Sequence, residues 1–117
     1  MAEPFHRSLL PQVVQDLQLL GQEDDGLVDA ALQAIMDLAE RRKAGKRLGE
    51  RHVSGDLSGT RRLKFDLVDQ RPERFRVVYR LVPDEPSANT VEIISVGRRG
   101  GHAVYLAAVA RMGEPNE

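Results

Sequence analysis

The chain has 117 residues, of which 41% are hydrophobic and 30% charged, and its formal net charge is −1. This length suits one domain with a single core, and the composition is ordinary for a globular protein. The sequence contains no cysteine, which excludes a disulfide framework, a thiolate zinc site and a cysteine nucleophile. No apolar run approaches the roughly 18 residues of a membrane helix and no signal-peptide pattern is found, so we expect a cytoplasmic protein.

Charge is distributed unevenly along the chain. Residues 1–40 contain one basic and eight acidic residues, whereas residues 41–117 contain 16 basic and 10 acidic residues. A basic half can mark a polyanion site, because neutralising phosphates gives affinity that does not depend on sequence. The alternative is a solvated surface on which acidic and basic elements face each other.

Two amphipathic helices are predicted in the acidic half. Apolar residues at helical spacing within residues 9–20 predict the first helix, and Gly21 is expected to end it. The spacing leaves open whether residues 5–10 belong to this helix or form a short strand before it. Asp25 is the expected N-cap of the second helix, and Gly45 is expected to follow its last turn.

Three strands and a final helix are predicted after a loop at residues 45–59, which is rich in glycine and charge. Hydrophobic and polar residues alternate in residues 61–67 and 74–82, as in half-buried strands. Residues 90–96 are apolar on both faces, which indicates a well-covered strand. The short links predict an antiparallel meander, and residues 102–112 predict a short helix.

The order of these elements predicts a single α+β domain over residues 1–117, with residues 113–117 as a disordered tail. In this fold an N-terminal helical hairpin packs on an antiparallel sheet of three to four strands, and a short C-terminal helix follows. Strand alternation directs one set of side chains toward the helices: Leu63, Phe65, Phe75, Val77, Tyr79 and Leu81. The opposite face then presents Arg62, Lys64, Arg76 and Arg80.

Four cations on one face of a sheet favour an anionic partner, because like charges on neighbouring strands repel each other. Bound phosphate and an acidic protein segment are both suitable partners. The alternative is a solvated face that Asp66 and Glu92 neutralise. The three histidines, His6, His52 and His102, match no metal-binding spacing, so neither a metal site nor a cofactor is expected.

Residues 95–105, SVGRRGGHAVY, combine glycines with arginines, a histidine and a tyrosine. They do not form a Walker loop, because the glycine spacing and the Lys-Ser/Thr pair are missing. A set of Arg, Lys, Tyr and His side chains without a metal suits cleavage of an RNA phosphodiester by its own 2′-hydroxyl. The protein then needs only to orient the nucleophile, move protons and stabilise charge on the phosphate.

Several short segments, in this order, resemble the RelE/ParE superfamily of type II toxin–antitoxin toxins: 57–59 (LSG) leading to 61–63 (RRL), 75–79 (FRVVY), 97–99 (GRR) and 104–105 (VY). The resemblance covers roughly residues 8–112 and implies a compact RelE-like fold. It also implies a cognate antitoxin that holds the toxin inactive. The implied activity is metal-independent mRNA cleavage in the ribosomal A site, with inhibition of DNA gyrase as the alternative. A non-catalytic module that binds nucleic acid or a protein is a third reading.

The resemblance also implies roles for individual residues. Arg76 would contact the scissile phosphate, and Arg99 or its neighbour Arg98 would bind phosphate at the end of the last strand. Tyr105 would stack on a base or take part in proton transfer, and Lys64 would bind phosphate or assist the 2′-hydroxyl. The candidate catalytic residues are Arg76, Arg99, His102 and Tyr105, and the candidate RNA-binding residues are Arg62, Lys64, Arg80 and Arg98.

The sequence departs from the family pattern in two respects. Its pI is near 6.3, whereas toxins of this family that bind ribosomes are usually strongly basic. Arg98 occupies the usual position of a histidine, and His102 follows in a GGH segment. Tyr79 matches a family tyrosine, but its strand parity predicts that it lies in the core.

Overall fold

The computed structural model describes residues 2–51 and 55–113, without the side chains of residues 50 and 51. His52 and the predicted tail from residue 114 onward lie outside the described residues. The elements in chain order are β1 (His6–Leu9), α1 (Pro11–Glu23), α2 (Asp25–Ala39), β2 (Lys46–Arg47), β3 (Glu50–Arg51), β4 (Gly55–Asp56), β5 (Arg61–Phe65), β6 (Phe75–Val82), β7 (Thr90–Arg98) and α3 (Ala103–Met112). One turn of 3-10 helix, Gly100–His102, precedes α3.

The main sheet has five strands in the order β1-β7-β6-β5-β2. Strands β5, β6 and β7 form the predicted antiparallel meander, and the α+β class is confirmed. The sheet is mixed rather than antiparallel, because β1 runs parallel to β7. Helices α1 and α2 and strands β2 to β6 lie between β1 and β7 in the chain, which gives the long connection that a parallel pair requires.

The loop predicted at residues 45–59 contains short strands in its described part. Strand β2 pairs with the start of β5 and adds the fifth strand to the main sheet. Strands β3 and β4 pair with each other in a separate two-stranded sheet. Each of these strands has only two residues, which is too short for a period-two pattern to be recognised.

The N-terminal segment forms a strand and not a helical turn. Helix α1 begins at Pro11, whose fixed φ suits the first helical position. The helix continues past Gly21 to Glu23 instead of ending at the glycine. Gly21 lies close to α2, since a Cβ atom there would be 3.3 Å from Cγ2 of Val28.

The boundaries of α2 also differ from the prediction. The N-cap is Asp24 rather than Asp25, and its carboxylate accepts the N–H of Gly26 at 2.8 Å. After the helix, Arg41 adopts a left-handed conformation with φ of 61°. The chain therefore leaves the helix before Gly45, which the sequence indicated as the terminator.

The sheet separates two apolar clusters. The larger cluster lies between the sheet and helices α1 and α2, and it contains Phe65, Phe75, Val77 and Tyr79 as strand parity predicted. The second cluster lies between the opposite face and α3, and its members include Leu57, Val78, Ile94, Val104 and Tyr105. Helix α3 thus covers part of the face that the sequence indicated as an open cationic surface.

Among the residues described, no helix combines the length and the apolar content that crossing a membrane would take.

Candidate nucleic-acid interface

A cationic cleft of about 540 Å³ lies beside the start of α3, where β5, β6 and β7 meet at one end of the sheet. Six of the eight candidate site residues line this cleft: Arg62, Lys64, Arg76, Arg98, Arg99 and Tyr105. The structure thus brings most of the predicted set to one place.

The register of β5 against β6 places the first three cations together. Lys64 lies directly opposite Arg76, and Arg62 lies opposite Val78, one pair further along the same face. Directly opposed side chains have Cβ atoms about 4.5–5.5 Å apart, so Lys64 and Arg76 can contact the same group.

Arg76 is the most buried of these cations, with only 6% of its surface exposed. Its Nη1 donates to the carbonyl oxygens of Glu73 and Phe75, both at 2.9 Å, which fixes the plane of the guanidinium. Its Nε is buried and has no hydrogen-bond acceptor among the described residues. A buried donor without an acceptor is unfavourable, and Arg76 lines the cleft, so this nitrogen is a candidate donor to an anionic oxygen bound there.

Arg98 and Arg99 lie at the end of β7 and differ in their surroundings. Arg98 pairs in register with Phe75 and its guanidinium carbon lies 4.9 Å from the centre of that ring. Arg98 also forms an ion pair with Glu23 of α1. The side chain of Arg99 is exposed, and its backbone N–H donates to the carbonyl oxygen of Arg74 at 2.9 Å.

The two remaining catalytic candidates are placed differently from each other. Tyr105 lines the cleft although only 2% of its surface is exposed, because its ring belongs to the second apolar cluster. Stacking this ring on a base would therefore require the ring to move. His102 is not among the described residues that line the cleft. It caps α3 with a left-handed backbone, φ 59°, and its Nδ1 is buried without a partner among the described residues.

Arg80 lies on the same face as Arg76 but near the other end of β6. Four residues of extended chain separate the two arginines by about 13 Å. The Nε of Arg80 donates to a carboxylate oxygen of Glu92 at 2.5 Å. Glu92 therefore neutralises a cation of this face, as the alternative of a solvated, neutralised face predicts. Arg80 therefore does not join the cluster at the cleft.

Asp66, the other carboxylate that the sequence indicated as a neutralising group, pairs with Arg74 and not with a cation of the predicted face. Arg74 donates to both carboxylate oxygens of Asp66 at 2.8 Å, and the side chain of Asp66 is inaccessible to solvent. These hydrogen bonds hold the pKa of Asp66 at about 2, against a usual value of 3.8. The pair joins the end of β5 to the residue before β6, and it leaves Lys64 and Arg76 without this counter-ion.

The sequence did not single out Glu73, which also lines the cleft. It lies in the predicted turn before β6, where a carboxylate has no periodic pattern to mark it. The part of the chain that the structure describes holds no group of three or more His, Asp or Glu side chains arranged to bind a metal ion.

Comparisons with known proteins identify a fold. No family model matches the sequence, and no curated protein matches it. The chain resembles the Mycobacterium tuberculosis RelBE2 toxin–antitoxin complex at 24% identity, with a TM-score of 0.47, over 85% of this chain and 95% of the other. It resembles a double arginine-to-alanine mutant of the E. coli toxin RelE in the free state at 17% identity, with a TM-score of 0.59. That match covers 93% of this chain and 98% of the RelE chain. The similarity to RelE-like toxins that the sequence motifs indicated is confirmed at the level of structure, and the chain has the RelE fold.

Proposed function

We propose that this protein is the toxin of a type II toxin–antitoxin system and that it cleaves mRNA on the ribosome in the cytoplasm without a metal ion. The whole chain acts as one toxin domain. The observation that supports this activity most directly is the cluster of Arg62, Lys64 and Arg76 in one cleft. Within it, the buried Nε of Arg76 has no acceptor among the described residues.

The reaction is an attack of a ribose 2′-hydroxyl on the adjacent phosphorus. Charge accumulates on the non-bridging phosphate oxygens in the transition state, and Arg76 donates to these oxygens from a guanidinium whose position is already fixed. Lys64 contacts the same phosphate from the neighbouring strand. Arg62 and Arg99 bind the flanking phosphates, and Tyr105 closes the cleft on the side of α3.

The partner in this proposal is a cognate antitoxin, which the similarity to RelE-like toxins favours. The sequence leaves the ribosome and DNA gyrase as alternative targets, and the convergence of three cations on one point favours RNA cleavage. A gyrase inhibitor does not need such a convergent set.

Primer extension on mRNA in a translating extract tests the activity. Wild-type protein should create new 3′ ends in the message, both with and without a chelator of divalent ions at a concentration that ribosomes tolerate. Arg76→Gln should lower the cleavage rate about 100-fold or more, the usual cost of losing one preorganised donor. Arg80→Gln is the matched control on the same strand and should cleave as the wild type does.

No cleavage by wild-type protein would contradict the proposal, and inhibition of gyrase supercoiling by the same preparation would then identify the alternative target. For the toxin role, expression should arrest growth, and co-expression of a small protein encoded beside this one should relieve the arrest. If no neighbouring protein relieves it, the antitoxin partner is not supported.

A further inference from the structure

We infer that Glu73 is the proton acceptor of the cleft and removes the proton from the attacking 2′-hydroxyl. This inference rests on the proposed RNA cleavage and adds a group that the reaction needs. The other side chains named for the cleft so far are arginines, a lysine and a tyrosine. Arginine and lysine in their charged forms donate protons and cannot accept them.

Glu73 is the only carboxylate among the described residues that line the cleft. Its side chain is 27% exposed, so it is accessible from the cleft without unfolding of the surrounding loop. His102, the other acid–base candidate from the sequence, is not among these lining residues.

The position of Glu73 relative to Arg76 is fixed by the backbone. Nη1 of Arg76 donates to the carbonyl oxygen of Glu73 at 2.9 Å, which ties the backbone two residues before β6 to the buried guanidinium. A general base must lie within reach of the hydroxyl next to the phosphate that the cation binds. Glu73 lines the same cleft as Arg76, so its carboxylate is the described one placed to act beside the bound phosphate.

Glu73 is also less tightly held by cations than Asp66 and Glu92, the carboxylates considered above. Its ion pair with Arg71 is long, with 3.8 Å between Nε and Oε2, and Arg71 is 63% exposed. By contrast, Asp66 is held at 2.8 Å by Arg74, and Glu92 at 2.5 Å by Arg80. A carboxylate held by a short ion pair serves the structure, whereas Glu73 keeps acceptor capacity for a substrate hydroxyl.

In the resulting step, the 2′-hydroxyl proton moves to Glu73 while the 2′-oxygen forms a bond to phosphorus. The bond from phosphorus to the 5′-oxygen breaks, and this oxygen takes a proton from the ammonium group of Lys64. The products are a 2′,3′-cyclic phosphate and a 5′-hydroxyl end. No oxidant, reductant or further reactant is needed.

The test is single-turnover cleavage of mRNA on programmed ribosomes. Glu73→Gln should cleave at least about 100-fold more slowly than the wild type, because general base catalysis typically contributes 10²- to 10⁴-fold. Its affinity for an uncleavable 2′-O-methyl RNA should be unchanged or higher, since a negative charge has left a cationic cleft. Asp69→Asn, which removes an exposed carboxylate from the same link between β5 and β6, is the matched control and should cleave at the wild-type rate.

A substrate with sulfur in place of the 5′-bridging oxygen distinguishes loss of the general base from loss of the general acid, because a thiolate leaves without being protonated. Glu73→Gln should remain slow on this substrate, whereas Lys64→Met should regain most of its rate. If wild type cleaves and Glu73→Gln retains its rate, or if sulfur restores the rate of Glu73→Gln, the assignment is wrong while the proposed function stands. If wild type does not cleave, both fail together.

Discussion

Gly45 lies where any side chain would collide with the backbone of β5. A Cβ atom at this position would be 2.3 Å from the carbonyl oxygen of Arg62. The N–H of Gly45 donates to the hydroxyl of Tyr79 at 2.6 Å, and burial raises the pKa of that hydroxyl above its usual value. Gly45 therefore serves close packing between the segment after α2 and the sheet.

We expect Gly45→Ala to lower the free energy of unfolding by about 1–3 kcal/mol, because the added methyl group forces the two backbone segments apart. Gly49→Ala is the control, since apart from its chain neighbours no described atom lies within 4 Å of its Cβ position, and its effect should stay within about 0.5 kcal/mol. Urea denaturation of both variants measures the difference. Equal effects would show that the close approach at Gly45 has no energetic weight.

Arg80 shows how far the sequence could predict the site. Alternation along the strand correctly gave the face of Arg62, Lys64, Arg76 and Arg80, because the period of a strand is fixed by its geometry. Alternation gives neither the position along that face nor the element that covers it. The ion pair of Arg80 with Glu92 depends on the register of β6 against β7, which a single sequence does not contain.

At the scale of elements, the ion pair between Asp66 and Arg74 holds the turn between β5 and β6. The pKa of Asp66 is lowered to about 2 in the folded protein, from 3.8 as its usual value. A carboxyl whose pKa is lower in the folded state stabilises the protein above its unfolded pKa, and this contribution disappears as pH falls through the folded value. The window is therefore between about pH 4 and pH 2.

Replacement of Asp66 by Asn should lower the free energy of unfolding at pH 6 by about 2 kcal/mol, which corresponds to the difference between the two pKa values. The gap between wild type and Asp66→Asn should narrow as pH falls from about 4 to about 2. Denaturation curves at several pH values measure it. A gap that stays constant down to pH 2 would contradict the assignment of the low pKa to Asp66.

Helix α3 is attached to the rest of the fold through Arg111 and Asp16. Both amino groups of the Arg111 guanidinium donate to Asp16, at 2.7 and 2.8 Å, and Nη1 also donates to the carbonyl oxygen of Ile94 at 2.8 Å. Asp16 in turn accepts the backbone N–H of Val96 at 3.0 Å. The pair joins α1, the edge of β7 and α3, and both side chains are about 12–13% exposed.

Asp16→Ala should therefore destabilise the protein by about 3 kcal/mol, because it removes the carboxylate to which a largely buried arginine donates twice. The double variant Asp16→Ala, Arg111→Met should be less destabilised than the sum of the two single variants, by about 1 kcal/mol or more. A thermodynamic cycle from urea denaturation measures this coupling. Simple additivity would show that the two residues act independently.

The elements themselves were predicted unevenly, for physical reasons. Amphipathic periods identified α1, α2, α3 and the meander, because those patterns are local. The strand β1 was left open, since its hydrogen-bonding partner is some 84 residues away, with His6 opposite Thr90. The sequence does not predict that α3 covers the second sheet face, because this short helix has small residues on several sides and periodicity does not assign its buried face.

On the scale of the whole molecule, the net charge of −1 conceals a local cationic surface. Five of the eight acidic residues of the first 40 positions lie on α1 and α2, and only Glu23 among them is paired with a described residue of the cleft, Arg98. Electrostatic affinity for a polyanion depends on local cations and on the counterions that they release. A pI near 6.3 is therefore compatible with RNA binding at one end of the sheet.

Binding of a short uncleavable single-stranded RNA should weaken with salt, with a slope of log K against log salt of about −3 for about four phosphate contacts. Arg99→Gln should reduce the magnitude of the slope by about 0.7, whereas Arg80→Gln should leave it unchanged. Fluorescence anisotropy at salt concentrations from about 50 to about 300 mM, where electrostatic attraction still contributes strongly to the affinity, measures both slopes. A slope near zero would contradict the assignment of the cleft as a polyanion-binding site.

Strand β6 is shared by both layers of the protein, and this has a consequence for how the protein tolerates mutation. Phe75, Val77 and Tyr79 point into the larger cluster, while the residue between the first two, Arg76, points into the cleft. In a selection that records cellular abundance separately from growth arrest, neighbouring positions of one strand should give opposite phenotypes. Substitutions at Val77 would deplete the protein, whereas substitutions at Arg76 would leave a folded protein that cells survive. Under the proposed function, inactive forms that still bind the antitoxin would thus lie a single substitution away from the toxic form.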